Sequence, residues 1–322
     1  MLYTYAIEPD VLVTWDKCRN TLNLMGLQHG RAIAGYPSRK GWKALVRTAC
    51  RESETPERDR KRIFRKLDQA NAKLLLCDHR YDEALQPKAE RWIRNAVAQQ
   101  KALGAFHAIL ATRNPEGHPD IVLEEDIDES HERLEVGREV PVLREPEALA
   151  SHVSTLVRNS SELLLIDPHF DPSKDRWRPV VKACIELAGH CEHDKPNVTI
   201  HTLRRDGDPV NDKDFRTLCA LRLPEMLSGK VDSVRVCRWL RRRAGGEDFH
   251  ARYVLTDRGG YGLDKGLDQE RGVAQVVRLL GEQEWTRVRR VYSEAEHFFD
   301  ADCDFEVARP SPSPSLGWNY VE

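Results

Sequence analysis

Short apolar runs, each set apart from the next by an amphipathic stretch, recur along this chain and restrict it to a layered α/β architecture. Residues 162–170 (ELLLIDPHF) carry four consecutive aliphatic residues and stop at Pro168. Residues 74–77 (LLLC), 106–112 (FHAILAT) and 197–203 (NVTIHTL) are of the same kind. Runs without polar alternation suit strands covered on both faces. The intervening stretches have helical spacing. Trp92, Ile93, Ala96 and Val97 form one apolar stripe, and Val180, Val181, Cys184, Ile185 and Leu187 form another. A stripe of that kind buries one helix face against a sheet. Residues 231–240 (VDSVRVCRWL) alternate at period two, as a half-buried strand does. Strands interleaved with helices imply parallel pairs within a mixed sheet.

The 322 residues are enough for about two domains. Residues 1–146 read as a smaller α/β region of unknown role. It has an amphipathic helix over 11–24, a loop over 26–40, a basic surface helix around 58–66 and an acidic loop over 124–135. Residues 147–308 read as a second domain with the order β-α-β-α-β-β-α. Residues 309–322 (RPSPSPSLGWNYVE) form a Pro/Ser-rich tail whose composition predicts disorder or loose docking. Its Trp318–Val321 end reads either as a docking peptide or as a last turn folded back on the domain.

Charge and cysteines remove several function classes. Lys plus Arg number 50 and Asp plus Glu 52, a net charge of -2, so no global field draws the chain to nucleic acid or membrane. Binding of that kind must come from local patches. The 8 cysteines include no C-x-x-C pair, which leaves zinc-ribbon and thioredoxin readings without support. The start MLYTYAIEPD lacks the basic region of a signal peptide. No run approaches the roughly 18 apolar residues of a membrane span. The expectation is a cytoplasmic protein with reduced thiols.

The chemistry concentrates in residues 249–268 (FHARYVLTDRGGYGLDKGLD). The pattern His250-x-Arg252-x-x-x-x-Asp257 sits in an aromatic and β-branched stretch that reads as a strand. Residues two apart on a strand share a face, so His250 and Arg252 are expected to point the same way. An imidazole beside a guanidinium suits a phosphate: one group attacks or moves a proton, the other neutralises oxygens.

This spacing resembles the HxKxxxxD motif of the phospholipase D superfamily, with Arg252 in place of the Lys. The family often has Gly-Ser after a further six residues; here Asp264 stands at that point. With Gly266-Leu267-Asp268 the pattern looks closer to a divergent, single-motif branch. That branch includes the phospholipase-D-like domain at the C-terminus of MIT-domain proteins and its bacterial, defence-associated relatives. The resemblance extends over residues 162–297. It implies a nucleophilic His250, a phosphate clamp at Arg252 and an orienting Asp257, with no metal and no cofactor. A single-motif chain must find its second imidazole elsewhere, either in a homodimer mate or partner protein or at His169, which ends the strand ELLLIDPHF.

Other residues have a bland and a functional reading. His201 is a core histidine or a site residue. Asp167 caps a turn, or else orients His250 or holds a metal, and the turn is favoured. Gly259 and Gly260 serve a tight turn, or their amides cradle a phosphate. Arg238, Arg241, Arg242 and Arg243, with Trp239 among them, are a solvated turn or a phosphate-binding rim.

Two functions follow from these readings. In the first, the protein is a phosphodiesterase, read as a metal-independent nuclease of an anti-phage defence type. In the second, the same site binds phosphate, nucleic acid or acidic lipid head groups without catalysis, as a recognition or assembly module. Arg252 and the missing Gly-Ser favour binding; His250 and Asp257 favour cleavage.

Overall fold

The computed structural model describes residues 1–75, 79–191, 194–205, 207–242 and 248–309. The chain is α/β throughout, with two sheets.

The first sheet is wholly parallel. Its elements are β1 (Tyr3–Ile7), α1 (Trp15–Leu24), β2 (Arg31–Ala34), α2 (Arg39–Glu52), α3 (Glu57–Gln69), β3 (Leu74–Leu75), α4 (Arg91–Leu103), β4 (Ala108–Ala111) and β5 (Ile121–Leu123). The strand order is β3-β2-β1-β4-β5. Leu22, Trp42, Val46, Ile63 and Leu67 cover one face. Trp92, Ile93, Ala96 and Val97 of α4 cover the other. That double cover is why β2 and β4 are buried at every residue.

The second sheet has eight strands and is mixed. It is built from β6 (Glu139–Leu143), α5 (Pro146–Val157), β7 (Glu162–Ile166), α6 (Arg178–Gly189), β8 (Asn197–Leu203), α7 (Asp212–Arg222) and β9 (Ser233–Leu240). β10 (Arg252–Thr256), β11 (Gly260–Leu263), β12 (Ala274–Leu279), α8 (Glu282–Ser293) and β13 (Asp300–Ala308) complete it. The order is β13-β9-β8-β7-β10-β11-β12-β6. β7, β8 and β9 run parallel, and every other pairing is antiparallel. Helices α5, α6 and α7 line one face through Leu156, Val181, Ile185 and Phe215. Helix α8 covers the other with Val288, Val291 and Tyr292. β6 lies upstream of residue 147 and yet forms an edge of this sheet.

The two sheets share packing. Leu2, Ala32 and Leu75 join the apolar cluster that holds Leu156 and Leu279. The Arg258 guanidinium donates to the carbonyls of Leu74 (2.9 Å) and Asn159 (3.1 Å), tying the β10–β11 turn to β3. The seven described cysteines are buried. No described helix is long and apolar enough to cross a membrane.

Candidate functional site

Parallel neighbours in a sheet deliver the loops after them to one edge. β7 and β8 do so here. The loop after β7 carries Asp167, Pro168 and His169, and the loop after β8 carries Arg204 and Arg205. β10 is antiparallel to β7, so its start lies at that same edge. The segment before β10 therefore brings Asp248, Phe249 and His250 there. A cleft of about 320 Å³ opens between them, lined by His169, Arg204, Arg205, Arg241, Phe249 and His250.

Each histidine is placed by a specific anchor. Phe249 is fully buried and packs on Tyr292 and Phe299 at ring separations of 5.2 Å. With Phe249 seated in the core, the next residue, His250, is turned outward. His169 is set by Asp167, which is itself inaccessible to solvent. One Asp167 oxygen accepts from the His169 amide at 2.8 Å and the other from the Leu267 amide at 2.9 Å. Gly266 has φ +128°, and a Cβ there would stand 2.5 Å from the Asp167 carboxylate. Glycine is what lets the β11–β12 connection approach so closely. Asp167 is thus the turn residue that the sequence favours.

The electrostatics are one-sided. The Arg205 guanidinium contacts Nδ1 of His169. An Arg nitrogen at Arg241 lies 3.1 Å from Nε2 and 3.4 Å from Nδ1 of His250, and Asp248 lies 3.2 Å from Nε2. Arg252 projects from β10 beside Asp167, with one donor on the Asp264 carbonyl at 3.3 Å and its buried Nε without a partner. Burial, then Arg205 and Arg252, hold the His169 imidazole down at about 4. Burial pushes the Asp167 carboxyl up to about 6 against the pull of its amide donors. Among the described residues, neither Arg205 nor Arg241 has a carboxylate partner.

The motif is divided by the fold. His250 belongs to a turn rather than to the strand, which begins at Arg252. Asp257 lies beyond the far end of β10. It accepts from the Ser161 amide (3.0 Å), the Ser161 hydroxyl (2.9 Å) and the Glu162 amide (3.4 Å). The five strand residues between them span about 17 Å at strand rise. The expected pairing of Asp257 with His250 is therefore corrected: Asp257 anchors the start of β7, and Asp248 is the carboxylate beside His250. Gly259 and Gly260 are at that far end too. They form a turn closed by the Thr256 amide on the Gly259 carbonyl at 2.8 Å, away from the cleft. The expectation that they cradle a phosphate there is corrected as well.

The arginine cluster also separates. Arg241 lines the cleft. Arg238 is buried, bonded to Asp302 at 2.5 Å, with its guanidinium 4.2 Å from the Phe215 ring centroid. Arg242 donates to the carbonyls of His297 (2.5 Å) and Glu296 (3.3 Å) and contacts Asp300. These two hold β13 and the turn after α8 in place. Arg243 lies outside the described residues. His201 is a core histidine: its Nδ1 accepts from the Trp239 indole at 3.1 Å, and burial lowers it to about 3. Arg205 and Asp248 carry no motif in the sequence. Position after β8 was the available signal for Arg205. Among the described residues, no group of three or more His, Cys, Asp or Glu is arranged to hold a metal ion.

No family model matches the sequence, and no curated protein matches it either. Among solved structures the chain is similar to polyphosphate kinase from Porphyromonas gingivalis, at 13% identity and a TM-score of 0.31. That match covers 55% of this chain and 26% of the kinase, so this chain spans about a quarter of it. It is also similar to TrmBL2, an archaeal chromatin protein with a novel mode of DNA binding, at 13% identity and a TM-score of 0.26. That match covers 80% of this chain and 86% of TrmBL2. Likeness this faint defines neither fold nor function.

Proposed function

We propose that the cleft at the carboxyl ends of β7 and β8 recognises the phosphate of a phosphodiester or phosphate ester. One observation carries this reading: His169 and His250 face a single cleft with two guanidinium groups, Arg205 and Arg241, that have no carboxylate partner among the described residues. Unpaired guanidinium groups are forks of donors matched to phosphate oxygens. The imidazoles fit the same role. The Arg205 donor on Nδ1 leaves the proton of neutral His169 on Nε2, where it is a hydrogen-bond donor. With the Asp248 carboxylate accepting from Nε2 of His250, Nδ1 carries no proton, and Arg241 lies 3.1 Å from Nε2 and 3.4 Å from Nδ1.

A second reading, metal-independent phosphodiester cleavage as in a nuclease, is favoured by an exposed imidazole, His250, on a cleft with two guanidinium groups. His250 would attack phosphorus through Nδ1 once Arg241 moves from the imidazole to a phosphate oxygen. The phosphorus–oxygen bond to the leaving group would break, the departing oxygen would take a proton from solvent water, and a second water would later hydrolyse the phosphohistidine and restore neutral His250. His169, held near 4, is neutral at pH 7 and would contribute binding rather than acid catalysis. Nucleic acid and acidic lipid head groups are the two ligand sources to compare.

The test is phosphate-ester binding and cleavage in EDTA, with single-stranded DNA, single-stranded RNA and anionic liposomes, for the wild type and His250→Ala. Salt-sensitive binding without cleavage supports recognition. Cleavage lost in His250→Ala with binding retained supports the enzyme. Absence of binding to every phosphate ligand, inorganic phosphate included, sinks both.

A further inference from the structure

We infer that the ligand enters in two parts, a phosphate in the cleft described above and a neutral hydrogen-bonding ring, of nucleoside or sugar type, in a chamber beside it. This rests on the phosphate reading of the cleft. The second chamber has a volume of about 380 Å³ and shares Pro168, His169, Leu203 and Arg205 with the first. His169 and Arg205 are the wall between them. Beyond that wall the character of the lining changes.

Four basic side chains line the second chamber, which at first suggests another anion site. Three of them have a carboxylate in contact, Asp268 being shared with Arg144 and Asp302 with Arg204. Lys174 is 3.2 Å from Asp171, Arg176 is 3.5 Å from Asp268, and Arg238 is 2.5 Å from Asp302. The fourth is Arg205, on the shared wall. Of the carboxylates, Asp171, the partner of Lys174, is part of the lining itself, and Asp208 adds a further one. A second phosphate would meet those carboxylates at short range and gain little from cations that are already paired. The remaining wall is apolar, formed by Phe170, Phe215, Val210 and Leu218. A near-neutral wall with donors, acceptors and apolar surface fits a polar ring. An acyl chain would strip water from the ion pairs without replacing their hydrogen bonds. The volume is near the lower end of small-ligand pockets, roughly 300–1,000 Å³, which suits one ring-sized group.

The experiment titrates the full chain, in EDTA at fixed salt, with inorganic phosphate, a hexose phosphate, a nucleoside monophosphate and tripolyphosphate. At least one ring-bearing phosphate should bind about tenfold tighter than inorganic phosphate. Which one does so identifies the ring. Leu218, half-buried on α7, allows the chamber to be filled by Leu218→Trp. That variant should remove the preference and leave inorganic phosphate affinity unchanged. Equal affinity for inorganic phosphate and both esters overturns the inference while the phosphate site stands. So does tighter binding of tripolyphosphate than of either ester. The ligand series on the wild type decides the question even where the variant does not fold. If inorganic phosphate itself does not bind, the reading of the first cleft fails, and this inference fails with it.

Discussion

β10 is five residues long, and its two ends have opposite characters. At the entry end, His250 is exposed, Arg252 has a buried nitrogen without a partner, and Arg241 meets an imidazole instead of a carboxylate. At the exit end, Asp257 has three donors, Thr256 and Gly259 close a tight turn, and Arg258 is bonded to two carbonyls. Both ends belong to one sequence pattern. Buried groups with satisfied hydrogen bonds hold a structure together, whereas unpaired cations at a strand edge are free to meet a ligand. The pattern is therefore half site and half scaffold, and substitutions at its two ends should separate binding from stability.

The largest effect is expected from Gly260→Val. A Cβ at this position would lie 2.5 Å from the Leu255 side chain and 3.2 Å from the Val254 carbonyl. The added bulk should cost about 3 kcal/mol, read as a lowered urea midpoint. A midpoint equal to wild type would show that the exit end is not the scaffold. Asp257→Ala comes next. It leaves the donors of Ser161 and Glu162 unmet and should cost about 1–3 kcal/mol. Phosphate affinity, measured by titration calorimetry, should not change. Tenfold weaker binding in a folded Asp257→Ala protein would restore the motif role that the geometry denies it.

At the entry end the expectation is reversed. Arg241→Ala should weaken phosphate binding by about tenfold, equivalent to 1.4 kcal/mol, with the thermal midpoint unchanged. A drop in midpoint with affinity preserved would make Arg241 part of the scaffold. A further effect is a slope. Burial lowers His201 to about 3, and His152 to about 4 with a lesser push from the chain's terminal ammonium. Their ordinary value is 6.5. The unfolded histidines take up protons as the pH falls through 6.5, and the folded ones do not until far lower. Their stabilising contribution is complete above pH 6.5 and declines below it. Unfolding free energy should fall between pH 6.5 and 4, and His201→Asn should flatten that fall. An unchanged slope would show that His201 is not held neutral by the core.

How much of this the sequence discloses depends on how each element is stabilised. The apolar runs that became β7, β8 and β4 were readable because both faces of each strand are covered. β6 was not, because Pro141 argues against a strand; an edge strand tolerates it. β13 alternates Asp with apolar residues, and Asp disfavours strands. Its aspartates are offset by arginines on β9, with Arg235 on Asp304 and Arg238 on Asp302. Such compensation cannot be seen from one segment alone. β2 lies in the stretch read as a loop, where four residues are too few to show a period. For the site, His169 and His250 were both legible as residues. Their meeting was not, since it requires knowing that β10 runs antiparallel to β7. The Asp257 reading failed because residue spacing says nothing about which end of a strand faces the ligand.

The shared packing between the two sheets has a consequence for how the chain is made. Every strand of the first sheet has been synthesised by residue 123, so that sheet can form early. Leu2, Ala32 and Leu75 must then wait for cover from Leu156, available soon afterwards, and from Leu279, which arrives more than a hundred residues later. β6 waits equally long for β12. During that interval a greasy patch and an unpaired strand edge are open to other chains. Slowed translation or a holding chaperone over this window would change the yield of soluble protein without altering any contact in the finished molecule.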